Sequence, residues 1–360
     1  MQPTVIDLVL FAIFLAVLVF PFKIKLVEEN LEVFLFIMGA LAVTVTGKWS
    51  VELLRTAAEE PIMKGIVPAV LVAGLVFFYG RAAFQSAMNG LLRVVPISLV
   101  VFAMVMILGL LSSVITAIIA SLLLVEISNL MPLSRKDQIN LVIIACFSIG
   151  LGAVLTPLGE PLSTIAVVKL AGPPYNASFW YLFDQLGLLI IPGVLACSVF
   201  AVVFVGRRAQ KIAVKVESEE DGEGLRGVFL RAVKVYAFVA ALFLLGAGME
   251  IIINKYFTQV PDRVLFWVNM VSAILDNATL TAAEIAPSMA QSQINAALMG
   301  LLVSGGMLIP GNIPNIISAG KLGITSSQWA KLGVPFGLVI MSVYFVAIFF
   351  LGISPRLGIQ

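Results

Sequence analysis

The chain has no histidine. The one side chain that ordinarily titrates near neutral pH is therefore missing. Any proton-linked step must use carboxylates or lysines shifted from their usual ranges, or water. No HExxH motif and no aspartate-rich diphosphate motif occurs, which leaves an intramembrane enzyme little recognisable chemistry; turnover of a labelled lipid or peptide would test for one. Cysteine is nearly absent too. Cys146 and Cys197 both sit in apolar runs without CxxC spacing and read as small packing residues. Charge is scarce: Asp, Glu, Lys and Arg make up 12% of residues and the net charge is +2, with no basic stripe to suggest nucleic acid as a partner. No basic segment precedes the first apolar run, and Asp7 interrupts its start, so a cleaved signal is not expected there.

What is abundant is apolar sequence, at 61% of residues. Runs repeatedly reach bilayer-spanning length, so the expectation is an all-α polytopic membrane protein. Spans are expected at residues 4–20, 31–46 and about 65–80, with a short amphipathic interfacial helix at 49–60 and a connector at 84–94 carrying Arg93. Further spans are expected at about 181–206, 230–252 and 334–353. Residues 207–224 carry four basic and then five acidic residues with two glycines, and read as a hydrophilic linker. Its arginines and lysines favour the cytoplasmic side of the inner membrane.

Two stretches resemble each other. Gln138-Ile-Asn140 recurs as Gln293-Ile-Asn295, and a glycine follows the glutamine at equal spacing in both copies, Gly150 and Gly305. Then Pro157-Leu-Gly-Glu-Pro161 parallels Pro310-Gly-Asn-Ile-Pro314, followed by Lys169-Leu170 and Lys321-Leu322. Upstream, Ser112-Ser113-Val-Ile-Thr116 occupies the place of Ser272-Ala-Ile-Leu-Asp276-Asn277. Paired Gly/Pro-interrupted apolar segments in two halves point to a transporter's midplane site. The division that follows is scaffold helices at 1–64, repeat 1 at 65–206, the linker at 207–224, and repeat 2 at 225–360. Each repeat holds a re-entrant hairpin (about 97–127 and 264–290) and a broken helix (about 138–170 and 295–322). For 96–127 the alternative is one long tilted helix with serines bonded back to its own carbonyls. An opened helix frees carbonyls that suit hard cations and N–H groups that suit anions, so side chains decide the sign of the substrate.

The segment Ser272-Ala-Ile-Leu-Asp276-Asn277-Ala-Thr279 resembles the hairpin signature of NhaD-type sodium/proton antiporters. Gly150-Leu-Gly152 with Thr156-Pro157-Leu-Gly159-Glu160-Pro161 resembles the broken-helix signature of the wider ion transporter superfamily, and the chain also resembles a little-characterised family of cation transporters. The resemblance covers roughly 97–170 and 264–323. It implies inverted repeats, elevator-type transport and a homodimer, with hairpin tips and helix breaks forming one central site. The first hairpin departs from the signature, with Ser112-Ser113-Val114-Ile115-Thr116 lacking an Asp-Asn pair, and Pro161-Leu162-Ser163 stands where a Pro-Asn pair is usual.

The expected function is Na⁺ (or Li⁺)/H⁺ antiport by alternating access, with sodium as substrate and no cofactor. Expected ligands are Asp276, Asn277, Thr279, Glu160, Ser113, Thr116, Thr156, Gly159, Ser163, Asn312 and Asn315. Asp276 and Glu160 would bind Na⁺, and these two with Glu284 are candidates for proton coupling. Asp276 alternatively caps the hairpin tip, Glu160 alternatively pairs with Lys169 or Lys321, and Glu284 is a supporting carboxylate or an interface residue. Lys169 and Lys321 alternatively snorkel or stand in for the cation. A site built on these lysines would favour the other reading, a carrier of an oxyanion or small carboxylate. Glu250, Asp184 and Asp7 fall near predicted helix ends and read as interfacial. A passive channel is disfavoured by the duplicated breaks; single-channel currents would overturn that.

Overall fold

The computed structural model describes residues 4–24, 26–27, 30–63, 95–206, 225–256, 259–273, 277–353 and 356–358, with isolated positions between 67 and 90. The expected third span, the connector with Arg93 and the charged linker lie largely or wholly outside the described residues. Among the described residues all regular structure is helical. Four helices among the described residues are long and apolar enough to cross a membrane: Ile97–Ile115, Arg135–Ala153, Tyr181–Val205 and Ser326–Phe349. The chain is thus an all-α protein of multi-pass membrane type.

Helices α1 (Val5–Lys23), α2 (Leu31–Thr46) and α3 (Val51–Met63) open the chain, and α9 (Leu225–Tyr256) packs along α2 and α3. Small residues allow the close approach. A Cβ on Gly39 would lie 2.8 Å from the Leu245 nitrogen, and one on Gly248 would lie 2.4 Å from the Ala42 methyl. Two ion pairs hold this unit: Lys48 with Glu250, and Lys255 with the buried Asp7, which also accepts from the Tyr256 hydroxyl at 3.2 Å. The expected amphipathic helix exists as α3, and its Ala57 packs with Val43 and Leu244.

The remaining described helices fall into two series, the two copies expected from the sequence. The first copy has α4 (Ile97–Ile115), α5 (Ala117–Leu130), α6 (Arg135–Ala153), α7 (Pro161–Lys169) and α8 (Tyr181–Ala201). The second has α10 (Asp262–Val268) continued by a 3₁₀ turn (Asn269–Ala273), then α11 (Asn277–Glu284), α12 (Gln291–Gly305), α13 (Ile313–Leu322) and α14 (Ser326–Phe349). In both copies the first arm of the hairpin packs on the first half of the broken helix, α4 on α6 and α10 on α12. Reciprocal serines stitch each pair. Ser112 donates to the Ile149 carbonyl (3.0 Å) and Ser148 to the Val105 carbonyl (3.0 Å). Ser272 donates to the Leu301 carbonyl (3.3 Å) and Ser304 to the Asn269 carbonyl (2.8 Å). Such hydrogen bonds between apolar helices contribute about 0.6–2 kcal/mol each.

The second arms cross over: α5 packs on α13, and α7 packs on α11. The long apolar run 96–127 is two helices, parted at Thr116, whose φ of 76° and ψ of 149° are foreign to a β-branched residue. Helix α14 starts eight residues before the expected 334. Thr325 and Gln328 form a capping box that nucleates it, and Pro335 is accommodated inside. Asp184, expected at an interface, is buried; Arg356 donates to it at 2.9 Å, so the C-terminal tail returns to the start of α8.

Candidate functional site

Four helix N-termini converge. Lys169, at the C-terminus of α7, donates to the carbonyls of Ala282 (2.6 Å) and Ile285 (2.8 Å), at the C-terminus of α11. The two helices thus run in the same direction. At a rise of about 1.5 Å per residue, their starts at Pro161 and Asn277 come level. On the other side Arg135 donates to the Leu322 carbonyl at the end of α13, and its partner Gln138 donates to Asn129 near the end of α5. That pair is also parallel, with Thr116 and Asn312 at its start. The two broken helices meet where Phe147 packs against Gly306, beside Gly150 and Gly305.

In the first copy the hairpin tip is tied to the break. Ala117 N–H donates to the Gly159 carbonyl at 2.7 Å, and the Thr156 hydroxyl donates to the Ser113 carbonyl. Thr116 Oγ1 accepts from Ile119 N–H at 3.4 Å, capping α5, and the Ser113 hydroxyl donates to Leu110 at 2.7 Å. Gly159 can only be glycine: a Cβ there would lie 1.9 Å from the Ala153 carbonyl oxygen. Glu160 follows at the N-cap of α7 with 4% of its surface exposed. Its backbone carbonyl accepts from the Ser163 hydroxyl at 2.7 Å. Six expected residues of this half, Ser113, Thr116, Thr156, Gly159, Glu160 and Ser163, therefore lie together at the tip and break.

In the second copy Asn312 caps α13, its Oδ1 accepting Ile313 N–H at 2.8 Å, and its Nδ2 lies against Gly150 of the other copy. Asn315, fully buried, donates from Nδ2 to the Gly305 and Leu308 carbonyls, both at 2.8 Å, closing the broken end of α12. Its Oδ1, and Nδ2 of the buried Asn277, have no hydrogen-bond partner among the described residues. Gly311 brings carbonyl oxygens together. The point where its Cβ would stand is 2.5 Å from the Gly305 oxygen, 2.6 Å from that of Ser272 and 3.0 Å from that of Ala273. Asp276 and the Thr279 side chain lie outside the described residues.

The remaining candidates separate. Lys169 does not pair with Glu160; its ammonium is held by α11 carbonyls at the far end of α7 from Glu160. It lines a cavity of about 280 Å³ shared with Glu250, Leu53 and Phe243, between the opening helices and the duplicated core. Lys321 is exposed near the end of α13. Glu284 is buried between the arms of the second hairpin and α12, where the Asn269 amide hydrogen-bonds its carboxylate. Among the described residues no three His, Cys, Asp or Glu side chains gather as a metal centre, so an alkali cation here would rest on amide, hydroxyl and carbonyl oxygens with isolated carboxylates.

Sequence reading missed Asn269, Ser148 and Ser304. The signal was present as single polar residues inside apolar runs, Ser148 and Ser304 standing just before the matched Gly150 and Gly305. No curated protein matches the chain. A family profile described as "Protein of unknown function (DUF1646)" matches residues 7–351, and the chain belongs to that family.

Proposed function

We propose that the chain is a secondary active transporter exchanging Na⁺ or Li⁺ for H⁺ across the cytoplasmic membrane. In this reading the two copies are inverted repeats with re-entrant hairpins α4–α5 and α10–α11. They move as an elevator against a scaffold of the opening helices, in a homodimer, and the site opens alternately to each side.

The observation that carries the reading is Glu160. Converging helix N-termini alone would draw an anion. A buried carboxylate at that point supplies the negative charge from the protein itself, and in the sequence Asp276, directly before Asn277, is the second acidic candidate. The ligand that then completes the site is a cation, with the Ser272, Ala273 and Gly305 carbonyls and the Asn315 amide oxygen as hard ligands. Competition between Na⁺ and H⁺ for these acids, joined to alternating access, yields antiport.

A second reading, an anion carrier, draws support from the same N-termini and from the unpartnered Asn277 Nδ2. Against it, the Lys169 ammonium is committed to two backbone carbonyls. The deciding assay uses proteoliposomes with an imposed pH gradient and a pH-sensitive dye, with Na⁺, Li⁺, K⁺ or choline added to wild type, Asp276→Asn and Glu160→Gln. Collapse by Na⁺ or Li⁺ that both substitutions abolish supports antiport. Silence toward every cation refutes it and leaves anion uptake as the reading to pursue.

A further inference from the structure

The second hairpin holds an incomplete hydrogen-bond pair away from the helix breaks. Glu284, 3% exposed, accepts from the Asn269 amide, whose Nδ2 also donates to the Ala297 carbonyl at 3.2 Å. Two oxygens of this pair, Glu284 Oε2 and Asn269 Oδ1, are buried with no hydrogen-bond partner among the described residues. Leaving two acceptors unpaired in an apolar interior carries the full desolvation penalty of each. A carboxylic acid and a primary amide can pair through two hydrogen bonds in one ring, the amide N–H to one acid oxygen and the acid O–H to the amide oxygen. Only the first of these is made here. One proton on Oε2, donated to Oδ1, satisfies both orphaned oxygens at once.

We propose that Glu284 holds this proton as a neutral carboxylic acid, shared with Asn269, and that it is the proton-carrying group of the exchange, distinct from the cation site at the helix breaks. The second half of this proposal rests on the antiport reading; the first does not. The charged side chains on the elements packed against α11 are Glu160 at the N-cap of α7 and Lys169 at its end, and on α9 Glu250 and Lys255, with Arg226, Arg231 and Lys234 on its first turns. Lys169 gives two of its three N–H donors to the Ala282 and Ile285 carbonyls, Lys255 pairs with Asp7 and Glu250 with Lys48. Helix α12 and the 3₁₀ turn bring no titratable side chain. Among the described residues no ion pair to Glu284 is made, although the Lys169 ammonium bonds the carbonyls on either side of it, and the acid form needs no ion pair. When Oε2 gives up its proton to water in the other state of the transporter, the Asn269 amide N–H remains to hold the carboxylate until it is reloaded.

The test has two arms on the full-length protein in lipid. Infrared difference spectra at neutral pH are compared for wild type, Glu284→Gln and Asn269→Ser. Glutamine reproduces the paired geometry, its NH₂ donating where the acid O–H does, so this variant keeps the fold. The expected result is a protonated-carboxyl band in wild type that Glu284→Gln removes and Asn269→Ser shifts. The same band in Glu284→Gln overturns the assignment of the proton. In the second arm, Glu284→Gln should exchange labelled Na⁺ for unlabelled Na⁺ across the membrane yet no longer collapse a pH gradient when Na⁺ is added. Proton coupling at the wild-type rate in this variant refutes Glu284 as carrier. A wild type that moves no Na⁺ refutes the antiport reading and with it the carrier role, while the infrared arm still decides whether Glu284 is an acid.

Discussion

Lys169→Met tests the crossing of the two copies. The ammonium bonds two carbonyls at the end of α11 at 2.6 and 2.8 Å, and it is the polar tie recorded between α7 and α11. Hydrogen bonds to a charged group contribute about 1.5–3 kcal/mol each, and a cation at a helix C-terminus adds about 0.3–1 kcal/mol. Against this stands the cost of drawing the ammonium partly out of water, several kcal/mol for a fully buried ion and less for this half-buried one. The balance is a destabilisation of about 2–4 kcal/mol, with two carbonyls left unpaired. Methionine preserves the length and apolar stem, so the loss is that of the donors. The assays are thermal unfolding in detergent followed by size-exclusion chromatography, and amide hydrogen exchange. Protection should fall selectively over residues 281–289, where α11 ends, and cation preference should be unchanged. A variant that unfolds with wild type and keeps its protection refutes the reasoning, and would return Lys169 to the role of a substrate contact.

Other substitutions test other joints. Gly152→Ala would place a Cβ 1.8 Å from the Gly109 carbonyl oxygen, forcing α4 from α6 and costing at least about 1–3 kcal/mol, while Gly172→Ala, with nothing within 4 Å, should be silent by the same unfolding assay. Thr116→Gly should relieve about 1–3 kcal/mol of backbone strain at the first hairpin tip. It removes a candidate hydroxyl ligand, so the melting temperature should rise while Na⁺ response falls. Lys255→Met should lower the melting temperature because it leaves the Asp7 carboxylate only the Tyr256 hydroxyl and the backbone N–H of the N-cap Thr4, and a double-mutant cycle with Asp7→Asn should recover part of that loss. Cys146 and Cys197 are both buried, so a maleimide should label them only after denaturation.

The sequence by itself determined the elements whose causes are local. Apolar runs of spanning length set the helices, and the paired Pro-x-x-x-Pro segments set the breaks after Ala153 and Gly305, because proline and glycine end a helix wherever it stands. The hairpin tip at Thr116 was legible only through its likeness to the second copy. Helix α14 begins eight residues before the expected 334 because the Thr325 capping box starts it there, with Pro335 accommodated inside. Contacts between distant segments were decided by the tertiary structure. Nothing in the sequence of α7 indicates that its lysine would close α11 rather than meet Glu160, or that Arg356 would return to Asp184. Such pairings depend on which helix faces which, a matter of packing over the whole core rather than of spacing along the chain. Glu284 shows the division most clearly. The sequence marked it as an acid in an apolar run, and only the fold set Asn269 beside it with two oxygens awaiting one proton.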